Sequence, residues 1–122
     1  MGDDRLTDEW AACALGRSIS HVEHVRIARV LVQRHGRVEA RLRLVEGTRA
    51  NCDSLNAADR FDEALTVLWS DRIADAIDER DADSFDAFLR LHPELANSDL
   101  LGPPAWKVDE PRPDELARRR RP

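Results

Sequence analysis

The sequence is poor in turn-forming residues and has no long apolar run. Its 122 residues include only 5 Gly and 6 Pro, and most of the prolines fall after residue 102. This scarcity argues against an all-β sandwich or barrel. No apolar stretch approaches the ~18 residues of a membrane span, and the acidic start has no secretory signal pattern. We therefore expect a cytoplasmic protein with no membrane partner.

Cysteine and lysine are also scarce, which limits the classes of site and partner. Cys13 and Cys52 are the only cysteines, and their separation fits no metal-binding hook. Both are expected to be free thiols in a reducing compartment. The basic residues are almost all arginine, and the net charge is −5. A negative chain has little general affinity for nucleic acid, so no nucleic-acid partner is expected.

Apolar residues recur with the period of a helix, which predicts an all-α fold. The expected architecture is a small bundle of four main helices, a short N-terminal helix and a Pro/Arg-rich C-terminal tail. The bundle domain is placed at residues 1–101, and an extended or disordered tail at 102–122. The short helix is expected over 7–15, and the main helices over 21–35, 38–52, 61–79 and from 83 or 84 to 91.

Local signals fix several of these helix ends. Ser20 followed by Glu23 is the capping-box pattern, and Gly36 marks the end of the helix that they start. Thr7 is expected to cap the N-terminal helix, and Ser84 lies at the start of the last one. Gly36 predicts that the helices on either side of it are antiparallel, which makes the next helix parallel to the first of them.

Two of the predicted helices differ in their apolar faces. The helix over 21–35 is apolar around more than half of its circumference, which is typical of a central helix. A bundle this small usually leaves one flank of such a helix in water, so we expect a homodimer. In the next helix, Val38, Leu42 and Val45 mark the expected apolar face, and Leu44 lies beside it.

The main chemical signal is a histidine pair on one helical face. His21 and His24 are three residues apart in a first helical turn, where the helix dipole disfavours the charged imidazolium form. Two neutral imidazoles suit a general base or a metal site. First-turn histidines also commonly hydrogen-bond to backbone without any catalytic task, and this structural interpretation has the larger weight from the spacing alone.

A second polar patch lies at the start of the helix over 61–79. Asp62 or Glu63 could complete a set of two histidines and one carboxylate, so His21, His24 and Glu63 are the predicted ligands of a divalent metal. If the N-termini of the two helices meet, these groups share one rim of the bundle. Acidic residues also occur in first turns for dipole reasons alone. Trp69 could contact a planar ligand or simply pack in the core.

These two segments resemble a family of small all-helical bacterial proteins that are largely uncharacterised. The family patterns are H-x-x-H-x-R-L/I-A on an early helix and K-Y/F-H-E-T-I/L-T on a later one. The matching segments here are His21-Val-Glu-His24-Val-Arg26-Ile-Ala28 and Arg60-Phe61-Asp62-Glu63-Ala64-Leu65-Thr66. The resemblance covers residues 20 to 101, and it departs from the family at Asp62 and Ala64. Members often occur near natural-product genes, so the resemblance implies the same setting here.

Together, residues and resemblance predict a small enzyme of bacterial secondary metabolism that acts on a small-molecule substrate. The predicted catalytic groups are His21, His24, Asp62 and Glu63, used for acid-base or metal-assisted chemistry such as a cyclisation or proton transfer. The predicted substrate contacts are Arg26, Phe61, Thr66 and Trp69. The alternative is a non-catalytic helical accessory protein for a larger biosynthetic enzyme.

Overall fold

The computed structural model describes residues 2–104, and within this range every regular element is helical. The α-helices are α1 (Asp3–Ala11), α2 (His21–Ser54), α3 (Glu63–Glu79) and α4 (Phe85–Leu91). Short 3-10 turns, Ala58–Arg60 and Pro93–Ala96, precede α3 and follow α4. The all-helical fold class is therefore confirmed for these residues. The predicted Pro/Arg-rich character of the tail concerns residues 105–122, which lie outside the described range.

The two helices predicted around Gly36 form one 34-residue element that reverses direction at this glycine. Gly36 has φ 81° and ψ 170°, a left-handed backbone conformation that residues with a side chain rarely adopt. We call residues 21–35 the first arm of α2 and residues 37–54 its second arm. His24 and Ala28 of the first arm line the same cavity as Thr48 and Leu44 of the second. The arms are therefore antiparallel, as the sequence predicts.

Helix α3 runs back along the second arm, with ion pairs in an antiparallel register. Arg41 Nη2 lies 2.7 Å from an Asp71 carboxylate oxygen, and Arg49 Nη2 lies 3.1 Å from a Glu63 carboxylate oxygen. Rising numbers on one helix thus match falling numbers on the other. Helix α3 is consequently parallel to the first arm, and the N-termini of both lie at one end of the bundle.

The starts of the helices show which local sequence signals correctly predicted an N-cap. Ser20 and Glu23 make both hydrogen bonds of the capping box, and Ser84 accepts a hydrogen bond from the backbone of α4. The capping box is therefore confirmed, and Ser84, one of the two positions expected to start the last helix, is its N-cap. The expected cap at Thr7 is wrong, because α1 begins at Asp3 and the buried Thr7 hydroxyl donates to the Asp3 carbonyl at 2.8 Å. An acidic first turn suits the positive end of the helix dipole, which favours the earlier start.

The first arm is covered by its own chain. Its large apolar residues Val25, Ile27 and Leu31 are almost completely buried against the other helices. The apolar circumference of this arm therefore needs no second copy of the chain to shield it, which removes the reason given for a homodimer. Among residues 2–104, no helix combines the length and apolar character needed to cross a bilayer.

The core face of the second arm differs from the predicted one. Val38 and Leu42 are 67% and 54% exposed, whereas Ala40 and Leu44 are buried. The prediction followed the larger side chains, but α1 packs closely against this arm and selects small residues at the contact. Gly47 lies directly under the Trp10 ring and leaves no room for a side chain. The predicted face of Val38 and Leu42 is therefore wrong.

Candidate functional site

A partly open cavity of about 250 Å³ lies where the first arm, the second arm and α3 meet. Its walls are mainly apolar, with polar groups from all three helical segments, which is the usual make-up of a small-molecule site. The lining residues of α2 are His21, His24, Val25, Ala28, Leu44 and Thr48. The remaining lining residues are Arg60, Asp62, Leu65, Thr66, Trp69, Ile73, Ser98 and Pro104.

His24 is a neutral imidazole on the wall of this cavity. Burial, and to a smaller extent the neighbouring His21, lower the pKa of His24 from its ordinary 6.5 to about 4. The imidazole is therefore neutral at physiological pH. Among the described residues, no hydrogen-bond partner holds its ring nitrogens. A neutral imidazole with uncommitted nitrogens on a cavity wall can accept a proton or a hydrogen bond from a ligand.

His21 is held in place by backbone and by an aromatic ring. Its Nε2–H donates to the carbonyl oxygen of Leu95 at 2.8 Å. A carbonyl can only accept, so Nε2 carries the proton, and in the neutral ring Nδ1 keeps its lone pair. The ring also meets Trp69 edge-on, with 4.5 Å between centroids. His21 thus anchors the turn at 93–96 to the start of α2 and forms one end of the cavity.

The start of α3 supplies the carboxylate and a hydroxyl of the opposite wall. Asp62 caps the helix, because one of its carboxylate oxygens accepts the backbone N–H of Leu65 at 3.0 Å. The Thr66 hydroxyl donates to the Asp62 carbonyl at 2.7 Å and leaves its lone pairs for other donors. The structure therefore brings His21, His24, Asp62, Thr66 and Trp69 together around one cavity.

Glu63 and Phe61 do not join this group. Glu63 is the first residue of α3, whereas Asp62 is its N-cap and has an extended backbone with φ −126° and ψ 101°, so the two side chains leave the chain in different directions. Because Asp62 faces the cavity, Glu63 turns to the side and pairs with Arg49 of the second arm. The same Arg49 guanidinium lies 5.1 Å from the centroid of the Phe61 ring. Phe61 thus packs outside the cavity, under an arginine.

Arg26 also lies away from the cavity. It is two residues from His24, and residues at that spacing do not share a helical face. Its guanidinium lies 3.1 Å from an Asp3 carboxylate oxygen and 4.6 Å from the centroid of the Phe85 ring. Arg26 therefore connects α1 to α4, and the structure does not place it where a ligand in the cavity could be held.

The three residues predicted to hold a metal are not assembled. Within residues 2–104, no group of three histidine, cysteine or acidic side chains is placed to hold a metal ion. His21 and His24 share a wall, but Glu63 faces Arg49 and cannot complete the set. The donors of this wall are better suited to hydrogen bonding and proton transfer than to binding a cation.

Thr48 is a site residue that the sequence analysis missed. It lines the cavity from the second arm, and its hydroxyl oxygen is buried with no hydrogen-bond partner among the described residues. The available signal was its position, because Thr48 and His24 are each twelve residues from Gly36. A threonine inside a helix is not by itself a sign of a site. Thr48 becomes a candidate only when the hairpin at Gly36 is known to place it opposite His24.

The arrangement can bind a small apolar molecule and take up or share one proton. The walls are mainly apolar, the neutral imidazole accepts, the Thr48 hydroxyl donates or accepts, and the Thr66 hydroxyl accepts. Comparison of the chain with protein families, with curated proteins and with solved structures finds no match.

Proposed function

We propose that this chain is a small helical enzyme that binds an apolar small molecule in the cavity and uses His24 as a general base. The single observation that supports this proposal is the state of His24, a neutral imidazole on the wall of a mainly apolar cavity, with no hydrogen-bond partner among residues 2–104. The family resemblance supports a setting in bacterial secondary metabolism. The unpaired Cys13 and Cys52 support a cytoplasmic location.

The chemistry follows from placing an acidic proton of the substrate against His24. The imidazole takes the proton, and the substrate retains the electron pair of the broken bond. A low pKa makes His24 a weak base in the empty cavity, because burial and the neighbouring His21 disfavour the imidazolium more than Glu23 favours it. An anion that forms beside it supplies the missing opposite charge, and in a water-poor cavity this attraction is stronger than in solution. The packed rings of His21 and Trp69 form the neighbouring part of the cavity wall, and the Asp62 carboxylate also lines the cavity.

The test is a base-promoted ring opening that needs no knowledge of the natural substrate. A nitrobenzisoxazole is apolar and ring-sized, and loss of its C–H proton breaks the N–O bond to release a coloured phenolate. We expect the protein to accelerate this reaction above buffer and His24→Gln to lower the rate over background by about 100-fold, the usual contribution of a positioned base. The wild-type rate should be flat above pH 6, because His24 is already deprotonated there.

Glu63→Gln is the matched control. The substitution removes an ionisable side chain at the start of α3. Glu63 pairs with Arg49 outside the cavity, so the cavity itself is unchanged. Its rate should equal that of the wild type. Equal rates for wild type and His24→Gln, with both proteins folded by circular dichroism, would show that His24 is not a base and would overturn the proposed function.

The accessory-protein alternative is favoured by one specific observation, an apolar surface on the second arm. Val38 and Leu42 are four residues apart, share a helical face and are mostly exposed. We propose this face as the contact of a homodimer or of a larger enzyme. In sedimentation, wild type is expected as a dimer and Leu42→Glu as a monomer, whereas Ala50→Glu, at an exposed position farther along the arm, should remain dimeric. A wild-type monomer of 13.9 kDa at high concentration would contradict the dimer.

A further inference from the structure

We infer that the ligand of this cavity is an uncharged ring alcohol or phenol, whose hydroxyl group lies between His24 of the first arm and Thr48 of the second. This inference rests on the proposed function and specifies its substrate class. It assigns to Thr48 a role in substrate recognition, and it identifies the group from which His24 takes a proton or a hydrogen bond.

The hairpin geometry places the two side chains opposite each other. His24 and Thr48 lie twelve residues before and after Gly36, and Ala28 and Leu44 lie eight residues before and after it. All four line the cavity. Antiparallel arms with equal rise put each pair at one height along the hairpin. One side of the cavity is therefore apolar at the level of Ala28 and Leu44 and polar one turn farther from Gly36.

The Thr48 hydroxyl needs a partner that the described residues do not provide. A buried hydroxyl without a hydrogen bond costs about 1–3 kcal/mol. A threonine within a helix can bond back to the carbonyl four residues earlier, as Thr66 does to Asp62. Thr48 makes no such bond. Its hydroxyl can donate to an oxygen of a ligand, and the same oxygen can donate its own hydrogen to the neutral His24.

The remaining walls determine the size and charge of the ligand. An apolar cavity of ~150 Å³ holds benzene, so a cavity of about 250 Å³ takes a ring compound of roughly ten non-hydrogen atoms. The charged side chains that line the cavity are Arg60 and Asp62, whose opposite charges leave the lining without a net charge, and Arg26 is turned to Asp3. A carboxylate or phosphate ligand would therefore meet a carboxylate and an uncharged imidazole as well as one cation. An uncharged hydroxyl matches one donor and one acceptor without any unpaired charge.

The test compares two probes that differ only in a hydroxyl group. p-Cresol and p-xylene have the same number of non-hydrogen atoms and nearly the same shape. Binding is followed by NMR through the imidazole resonance of His24. We expect the wild type to bind p-cresol about 10-fold more tightly than p-xylene, as expected for two modest hydrogen bonds. Thr48→Val should reduce this preference by about 5-fold, and Thr48→Ser, which retains the hydroxyl, should preserve it.

Each outcome separates the inference from the proposed function. Thr48→Val should fold well, because it removes an unsatisfied buried hydroxyl without changing the shape of the side chain. Equal affinity of the wild type for the two probes overturns the hydroxyl-bearing ligand and leaves the base chemistry of His24 intact. A full p-cresol preference in Thr48→Val overturns the role of Thr48. If neither probe binds, the ligand class is wrong, and the benzisoxazole rate alone then decides the proposed function.

Discussion

Gly47→Val is expected to lower the free energy of unfolding by about 3 kcal/mol, at the upper end of the cost of overpacking a core. A Cβ at Gly47 would meet three carbons of the Trp10 ring, the closest at 2.2 Å. Trp10 is only 2% exposed and has no free space into which to move. Asn51 holds the two backbones together, since its amide donates to the carbonyls of both Trp10 and Gly47.

The measurement is urea unfolding followed by circular dichroism. Glu46→Val is the matched control, because it places the same side chain at an exposed neighbouring position and should change stability little. A second check is the double variant Trp10→Leu with Gly47→Ala. The smaller leucine leaves room for the new methyl group. The double variant should therefore lose less unfolding free energy than the sum of the losses in the two single variants. Full stability of Gly47→Val would mean that α1 is not packed against the second arm as described.

The Gly47 contact also shows why the second arm could not be oriented from its sequence. Periodicity identifies a face by its large apolar residues, which are Val38 and Leu42 here. Helices that approach closely select glycine and alanine at the contact, and these residues carry little hydrophobic signal. Arg37 and Arg41 on the same arm pair with aspartates of α3, which fixes its rotation in a way that depends on a partner distant in sequence. Long-range contacts of this kind leave no local pattern.

The start of α2 gives the opposite result. The capping box at Ser20 and Glu23 is a purely local feature, and four residues of sequence were enough to predict it. The reversal at Gly36 was equally local, and it was sufficient to predict that the N-termini of α2 and α3 meet. The histidines and Asp62 therefore came together as expected from topology. Glu63 did not, because the backbone changes from the extended N-cap Asp62 to the first helical residue at this point, and the Glu63 side chain pairs with Arg49 outside the cavity.

The neutral state of His24 predicts a specific loss of stability in mild acid. In the unfolded chain its pKa has the ordinary value of 6.5, and in the folded protein burial lowers it to about 4. Below pH 6.5 the unfolded state binds a proton that the folded state does not, so acid favours unfolding. The difference between the two pKa values corresponds to roughly 3 kcal/mol. This stability is fully present above pH 6.5 and is lost as the pH falls towards 4.

The histidine can be separated from the carboxylates by the choice of pH. Hydrogen bonds from Arg17 and from the Ser20 backbone lower the pKa of Glu23 from 4.5 to about 2. The stability that the Glu23 carboxylate adds to the folded protein is therefore lost only below pH 4.5. For Asp81, burial opposes the shift, but hydrogen bonds from Gln33, Ala82 and Arg29 together lower its pKa below 3.8. Its contribution is likewise lost at lower pH. The interval from pH 7.5 to 4.5 therefore reports mainly on His24.

The decisive comparison is between wild type and His24→Gln across this interval. Glutamine is polar and of similar length but does not titrate, so groups common to both proteins cancel in the difference. The stability of wild type relative to the variant should fall by most of the 3 kcal/mol between pH 7.5 and 4.5, as measured by urea unfolding at each pH. Parallel stability curves would show that His24 titrates normally, in contact with water. That result would also remove the neutral imidazole on which the proposed chemistry depends.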